Sequence, residues 1–267
     1  MDKDIKQALI FGGSGGFGRA FAAQLTDGGI AVTSADVLPG SNIQADILDS
    51  IAPFAGALAD ADLVLLCLPQ EAALGVLKAL DGHITDALVV DICSVKSVIV
   101  EAAAGCCTGC EYVSFHPMFG PDKAFSGSNG VFIPVRGGAR GEIFKQWLGE
   151  LGVQIIETDV ETHDRVTSLV QVATHAVLAT FANLREAYDL PEDMVAAFAT
   201  PVFSELDRVS QSMVAEDPAL YHNIQSANPW GGESRARLSM ALEETLQILG
   251  EKEPVAMRAL FSRIRRA

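Results

Sequence analysis

The chain has 267 residues, is 49% apolar and carries a formal net charge of −15. That length exceeds one ordinary domain and falls short of two full ones, and the composition is that of a packed globular protein. The charge excludes nucleic acid as a partner, because phosphate binding needs clustered Lys and Arg, and it obliges any anionic substrate to find a local basic pocket.

The first half alternates strand and helix signals. Residues 8–11 read as a buried strand running into glycines, and residues 18–25 as the helix behind them. A second strand, 31–35, ends at Asp36. Residues 63–68 form a fully apolar strand stopped by Pro69, with a helix over 71–80. Another apolar strand, 88–92, precedes a helix from about Val95; 112–115 and 131–135 are further strands. Gly137-Gly138 marks a loop, 142–151 a helix and 153–156 a last short strand. Short apolar strands between helices predict a parallel, doubly wound sheet of the Rossmann type.

After about Asp159 the pattern becomes helical throughout. Residues 160–188 hold no Gly or Pro and predict a helix of more than 25 residues, capped by Asp159 or Thr162. Pro191, Pro201 and Pro218 punctuate shorter helices, and 238–249 and 255–264 continue the pattern. We therefore expect an α/β dinucleotide-binding domain over 1–157 and an all-α substrate and dimerisation domain over 158–267. The abundance of Ala, Leu and Val in the helical part leads us to expect a homodimer.

No apolar run reaches membrane-spanning length, since Asp60, Asp62, Asp91 and Lys96 interrupt the most apolar stretches. The opening Met-Asp-Lys-Asp lacks a basic region, so no signal peptide and a cytoplasmic location are expected. Cys67 and Cys93 read as core thiols. Cys106, Cys107 and Cys110 lack a partner pair or spaced His to complete four ligands, so reduced thiols and no metal are expected.

The glycine run Gly12-Gly-Ser-Gly-Gly-Phe-Gly18 fits the dinucleotide fingerprint through Gly13, Gly15 and Gly18, between a strand and a helix. In this reading Gly13 permits the tight turn, Gly15 lets the backbone approach a pyrophosphate and Gly18 lets helix and strand pack closely. Gly16 and Phe17 in the same loop, and Leu68 and Pro69 after the third strand, complete the expected cofactor site. Phosphates would sit on the helix N-terminus. Asp36, 18 residues past Gly18, is placed to accept hydrogen bonds from both ribose hydroxyls, and no Lys or Arg follows before Asp60; NAD is expected over NADP.

Two further segments carry chemistry. In Asp91-Ile-Cys-Ser-Val-Lys96 a strand ends, Ser94 is placed to cap the next helix, and Lys96 lies in its first turn, as in an anion site. In Ser114-Phe-His-Pro-Met-Phe-Gly-Pro-Asp122, His116 stands at a strand end, where doubly wound sheets hold their crevice.

These segments resemble the prephenate dehydrogenase family, which includes arogenate and 4-amino-4-deoxyprephenate dehydrogenases. The specific signal is His116-Pro-Met-Phe-Gly-Pro121. Asp91-x-x-Ser-x-Lys96, Glu161-Thr-His-Asp164, Gln171-x-x-x-His175 and Asp217-Pro-x-Leu-Tyr-x-x-Ile224 support it, and the likeness runs from about residue 8 to 228. The resemblance implies NAD-dependent oxidative decarboxylation of a cyclohexadiene. It casts His116 as the group polarising the ring 4-substituent or taking its proton, Ser94 as its neighbour, and Lys96 as a binder of substrate charge. It also places His175 and Tyr221 at the substrate pocket, and His163 at a domain junction.

One departure concerns the basic residue that the family carries after the helix of Asp217. Trp230 stands near that place, and Arg235 and Arg237 would substitute if the loop bends back at Gly231-Gly232. This makes a relative acting on 4-amino-4-deoxyprephenate the alternative to prephenate, with arogenate third. No fused mutase or regulatory domain is expected. A β-hydroxyacid dehydrogenase would carry a Lys on the long helix, which has none. A non-catalytic NAD-binding module is the remaining reading, and would have no use for Ser94, Lys96 and His116 at strand ends.

Overall fold

The structure is a computed structural model that describes residues 5–251 and 253–265. The N-terminal Met-Asp-Lys-Asp, read above for its lack of a basic region, lies outside the described residues. The chain divides into two compact units, 1–164 and 165–267.

The first unit is built on one eight-stranded sheet in the order β3-β2-β1-β4-β5-β6-β7-β8. Its strands are β1 (Gln7–Phe11), β2 (Ala31–Asp36), β3 (Ile43–Gln44), β4 (Leu63–Leu66), β5 (Leu88–Asp91), β6 (Glu111–Pro117), β7 (Asn129–Arg136) and β8 (Gln154–Glu157). Helices α1 (Gly16–Asp27), α2 (Ala55–Asp60), α3 (Gln70–Leu80), α4 (Lys96–Gly105) and α5 (Ala139–Glu150) cover it. Strands β4 and β5 are buried at every position, as a sheet covered on both faces requires. One face packs Leu9, Val64, Val89 and Tyr112 against Phe54, Leu77 and Ile99. The other packs Ile10, Leu65, Val113 and Phe115 against Phe21, Leu25, Phe144 and Leu148.

The expectation of a parallel sheet holds for β1 to β6. The register then reverses: β6 pairs β7 antiparallel, His116 opposite Val131, and β8 runs parallel to β7. The physical reason lies in the connection. Parallel neighbours need a crossover, normally a helix, whereas residues 118–128 form a loop without one. The two-residue β3 and the short α2 went unread in the sequence. Because β1, β2, β4, β5 and β6 are parallel, Gly12, Asp36, Cys67, Asp91 and His116 all come to the same, C-terminal edge of the sheet.

The second unit is helical. The long helix begins as α6 (Val160–Thr167), whose residues through Asp164 belong to the first unit, widens to a π-helical stretch over Ser168–Ala173 and continues as α7 (Thr174–Ala187). Asp159 caps it, accepting from the Thr162 N–H and hydroxyl, both at 2.8 Å. The π stretch leaves carbonyls for side chains to satisfy: Ser234 Oγ donates to Ser168 O at 2.7 Å and Gln225 Nε2 to Val172 O at 2.8 Å. Helices α8 (Glu192–Phe198), α9 (Pro201–Val214), α10 (Pro218–Ala227), α11 (Gly231–Leu249) and α12 (Val255–Ile264) follow. Neither α7 nor α8 buries any residue, and Phe198 and Val202 are 84% and 80% exposed.

Candidate active site

The glycine loop is shaped by what a side chain would strike. Gly12 adopts φ +78°, and a Cβ there would overlap the Cys67 carbonyl. The left-handed turn residue is thus Gly12 and not Gly13, as expected above; Gly13 is needed because a Cβ would lie 2.6 Å from Ser34 Cβ. A Cβ on Gly18 would overlap the Gly12 carbonyl, so the close packing assigned to Gly18 is present. Gly15 and Gly16 are exposed at the start of α1, where first-turn N–H groups have no carbonyl within the helix. These features form a cradle open at the start of α1, of the kind that could hold a phosphate group.

Asp36 closes one side of this cradle. Its Oδ2 accepts from Ser14 N and its Oδ1 from Leu38 N, both at 2.9 Å, and each oxygen retains a second lone pair. Leu68 lies against Gly12, Pro69 is exposed at the start of α3, and Phe17 stacks between Phe21 and Phe119 at 6.3 and 6.1 Å. The loop after His116 leans on the cradle, since a Cβ on Gly16 would come 2.8 Å from Pro121 Cγ. The two segments singled out from the sequence therefore meet.

Lys96 corrects the sequence reading. It is fully buried, with Nζ donating to Asp91 Oδ1 at 2.9 Å and to the Phe115 carbonyl at 2.8 Å. Asp91 also accepts from Tyr112 Oη at 3.0 Å and Cys93 N at 3.0 Å. A Lys is fully buried only when paired, and this ammonium is consumed inside the sheet edge rather than offered to a substrate. Removing one member would leave an uncompensated buried charge, a loss of about 3–5 kcal/mol.

Ser94 is also displaced from its expected role. The residue preceding α4 is Val95, with no side-chain cap, and Ser94 is half-buried in the turn before it. Asp164 caps the helix instead: Lys96 N donates to Oδ1 at 3.0 Å and Ser97 N to Oδ2 at 2.9 Å. A carboxylate is well suited there, because the helix N-terminus favours negative charge.

His116 is 3% exposed and does not stand alone. Its Nδ1 lies 2.8 Å from His163 Nε2, and His163 Nδ1 lies 2.7 Å from Asp164 Oδ1. Both partners are buried. Burial pushes the His116 pKa well below 6.5, and the Lys96 ammonium and the adjoining His163 ring act in the same direction. Burial likewise lowers His163, against the opposing pull of Asp164. For Asp164 burial acts upward, but hydrogen bonds from His163, Lys96 N and Ser97 N outweigh it and leave the carboxyl below its ordinary range. The cluster is thus two neutral imidazoles on a carboxylate. His163, expected at a domain junction, stands between His116 and Asp164; its adjacency to Asp164 was the available signal.

In the helical unit His175 and Tyr221 come together, ring centroids 4.8 Å apart and nearly perpendicular, and His175 Nδ1 is buried without a partner. The bend at Gly231-Gly232 on which a role for Arg235 and Arg237 depended does not occur. Both glycines are helical in α11, and a Cβ on Gly231 would lie 2.9 Å from the Gln225 carbonyl, so the glycine serves close packing on α10. Arg235 is tied back to that carbonyl at 2.7 Å, and Arg237 pairs with Glu233 at 2.6 Å on the surface. Arg165, absent from the sequence reading, stands 5.7 Å over the Trp230 ring and shares with it, Ser168 and Arg237 a recess of about 480 Å³.

Comparison with known proteins agrees with this architecture. Residues 21–132 match the family model described as prephenate dehydrogenase, nucleotide-binding domain, and 159–253 match prephenate dehydrogenase, dimerization domain. The chain is 27% identical to the 4-amino-4-deoxyprephenate dehydrogenase of Streptomyces pristinaespiralis, over 97% of this chain and 90% of that protein. It is 28% identical to the T-protein of Enterobacter agglomerans, over 98% of this chain and 67% of that one. Among solved structures, prephenate dehydrogenase of Aquifex aeolicus, in complex with hydroxyphenyl propionate and NAD+, superposes with a TM-score of 0.75 at 22% identity, covering 100% of this chain and 99% of that chain.

Proposed function

The chain belongs to the prephenate dehydrogenase family, and we propose that it oxidatively decarboxylates a prephenate-type cyclohexadiene using NAD. The observation that carries this reading is the buried neutral His116 at the sheet edge, in a segment packed on the glycine cradle. The cradle from Gly12 to Gly18 fits a dinucleotide pyrophosphate, and Asp36 fits a ribose diol. No Lys or Arg between Asp36 and Asp60 would balance a 2′-phosphate, which favours NAD over NADP. When bound, NAD supplies the acceptor for the hydride lost by the ring carbon.

His116 acts on the group at ring C4. A neutral imidazole accepts a hydrogen bond from that hydroxyl or amine and takes up its proton as the carbon is oxidised. The ring carboxylate leaves as CO2, its bonding pair enters the ring, and the proton returns to the heteroatom as the ring becomes aromatic, so no net proton is released. Ser94 stands beside the reacting group. His175, Tyr221 and the Arg165–Trp230 recess are the substrate-binding candidates of the helical unit; Arg235 and Arg237 serve less well, being engaged by Gln225 and Glu233.

Prephenate is the default substrate. The likeness to the Streptomyces enzyme along nearly the whole chain favours 4-amino-4-deoxyprephenate as the second reading. The protein works as a cytoplasmic homodimer in this reading. The deciding experiment measures NADH formation with prephenate, arogenate and 4-amino-4-deoxyprephenate, compared by kcat/KM. One of the three should lead by at least about tenfold, and His116→Asn should cut its turnover by about 10²–10⁴-fold while sparing NAD affinity. Absence of turnover with all three, or an equal loss of NAD affinity in the variant, overturns the assignment.

A further inference from the structure

We propose that His163, anchored by Asp164, is a positioning residue that fixes the proton of His116 on Nδ1 and so keeps Nε2 as the lone-pair nitrogen of the reaction. The proposal deepens the function given above and rests on it for its catalytic half; its structural half stands on hydrogen-bond geometry alone.

The direction of each bond in the chain is set from Asp164, where it is fixed. Asp164 accepts from two backbone N–H groups, Lys96 N and Ser97 N, which only donate. A carboxylate held in that way offers no proton, so the 2.7 Å contact from His163 Nδ1 is a donation by the imidazole. A neutral imidazole that donates from Nδ1 presents a lone pair at Nε2. His163 Nε2 therefore accepts across the 2.8 Å contact, and His116 Nδ1 is the donor. Nε2 of His116 then carries the lone pair. A base that must take a proton from a 4-hydroxyl or 4-amino group needs that tautomer; the other would present an N–H to the same group.

The anchor is rigid for a reason visible in the fold. The carboxylate that orients His163 is the one that caps α4, so both of its oxygens are committed to the backbone as well. Lys96 contributes its main-chain N–H to this anchor and its ammonium to Asp91, the neighbouring strand end. Packing alone would account for a ring at position 163; the uninterrupted donor–acceptor order from helix end to His116 is what assigns the positioning role. In serine proteases a carboxylate likewise holds a catalytic imidazole in the productive tautomer.

The test begins without substrate. The full chain labelled with 15N-histidine is examined by long-range 1H–15N correlation, with His116→Asn identifying the His116 signals. The expected result is a protonated Nδ1 and an unprotonated Nε2 at neutral pH. His163→Leu removes the acceptor; the His116 tautomer should redistribute towards Nε2–H, and kcat should fall about 10²-fold with KM and NAD affinity within about twofold. His163→Gln restores an acceptor oxygen towards His116 and a donor towards Asp164, and should return kcat to within about tenfold of the parent with Nδ1–H retained. A parent His116 protonated on Nε2 overturns the proposal. So does a His163→Leu protein with unchanged tautomer or turnover, or a His163→Gln protein as impaired as the leucine variant. If no cyclohexadiene is turned over, the tautomer measurement still decides the hydrogen-bond order, and the failure belongs to the functional reading.

Discussion

At the scale of single residues, the site separates groups that the sequence could only list together. Lys96 and Asp91 stand five positions apart across a strand-to-helix turn, and that spacing lets the two charges meet inside the sheet edge. A paired interior role was thus legible in the quoted motif, and the exposed anion-binder expected there was a misreading of an ammonium with a nearby partner. Asp36 gives a direct check on cofactor choice. Asp36→Ala should weaken NAD binding and narrow its advantage over NADP, measured as the ratio of the two kcat/KM values; an unchanged ratio sinks the ribose assignment. It also removes the acceptor of Ser14 N, so the loop itself should be verified by thermal melting.

Acid sensitivity belongs at this scale too. His116, His163 and His175 all titrate below 6.5, burial being the first cause in each. The charged groups acting on the first two are Lys96 from α4, Asp91 from β5 and Asp164 from α6; Tyr221 from α10 faces His175. The unfolded chain takes up these protons below about pH 6.5 while the folded chain does not, so stability present at neutral pH is lost as the medium is acidified. His116 and His163 each contribute up to ~1.4 kcal/mol per pH unit in that window. The Tm should fall between pH 7 and pH 5, and the fall should be shallower in His116→Asn. A flat Tm over that range would mean the imidazoles are charged in the fold.

At the scale of elements, the early strands were legible because fully covered parallel strands are unbroken apolar runs between turn residues. What could not be read were features decided by distant partners. Residues 168–173 keep an ordinary helical pattern, yet the stretch widens where Gln225 and Ser234, more than fifty positions on, reach its carbonyls. The cap of α4 comes from Asp164, 68 positions away, and the adjacent Ser94 was the local guess. The reversal at β7 had a local trace: residues 118–128 carry Gly and Pro and lack a helical repeat, which argues against a crossover helix. The pairing of His116 with His163 lay beyond any spacing rule, because it joins a strand end to a helix 47 residues on.

At the scale of the whole molecule, the helical unit is short of cover. A helix in water is stabilised mainly by burying an apolar face, and no residue of α7 or α8 is fully buried within one chain. Phe198 and Val202 lie open, and the matched model over 159–253 is that of a dimerization domain. A second copy of the chain is the expected cover. Size-exclusion chromatography with light scattering should give a dimer, and the double variant Phe198→Asp, Val202→Asp should shift it towards monomer with helical content retained. A monomeric parent protein would sink this expectation.

Lys96 is the one buried lysine among the described residues. Its amine is sealed from solvent by the same bonds that removed it from substrate binding. Reagents that acylate amines reach it only when the sheet edge around β5 and β6 comes apart, so the rate at which Lys96 is modified is a clock for the opening of the first unit, running inside the protein without any added probe.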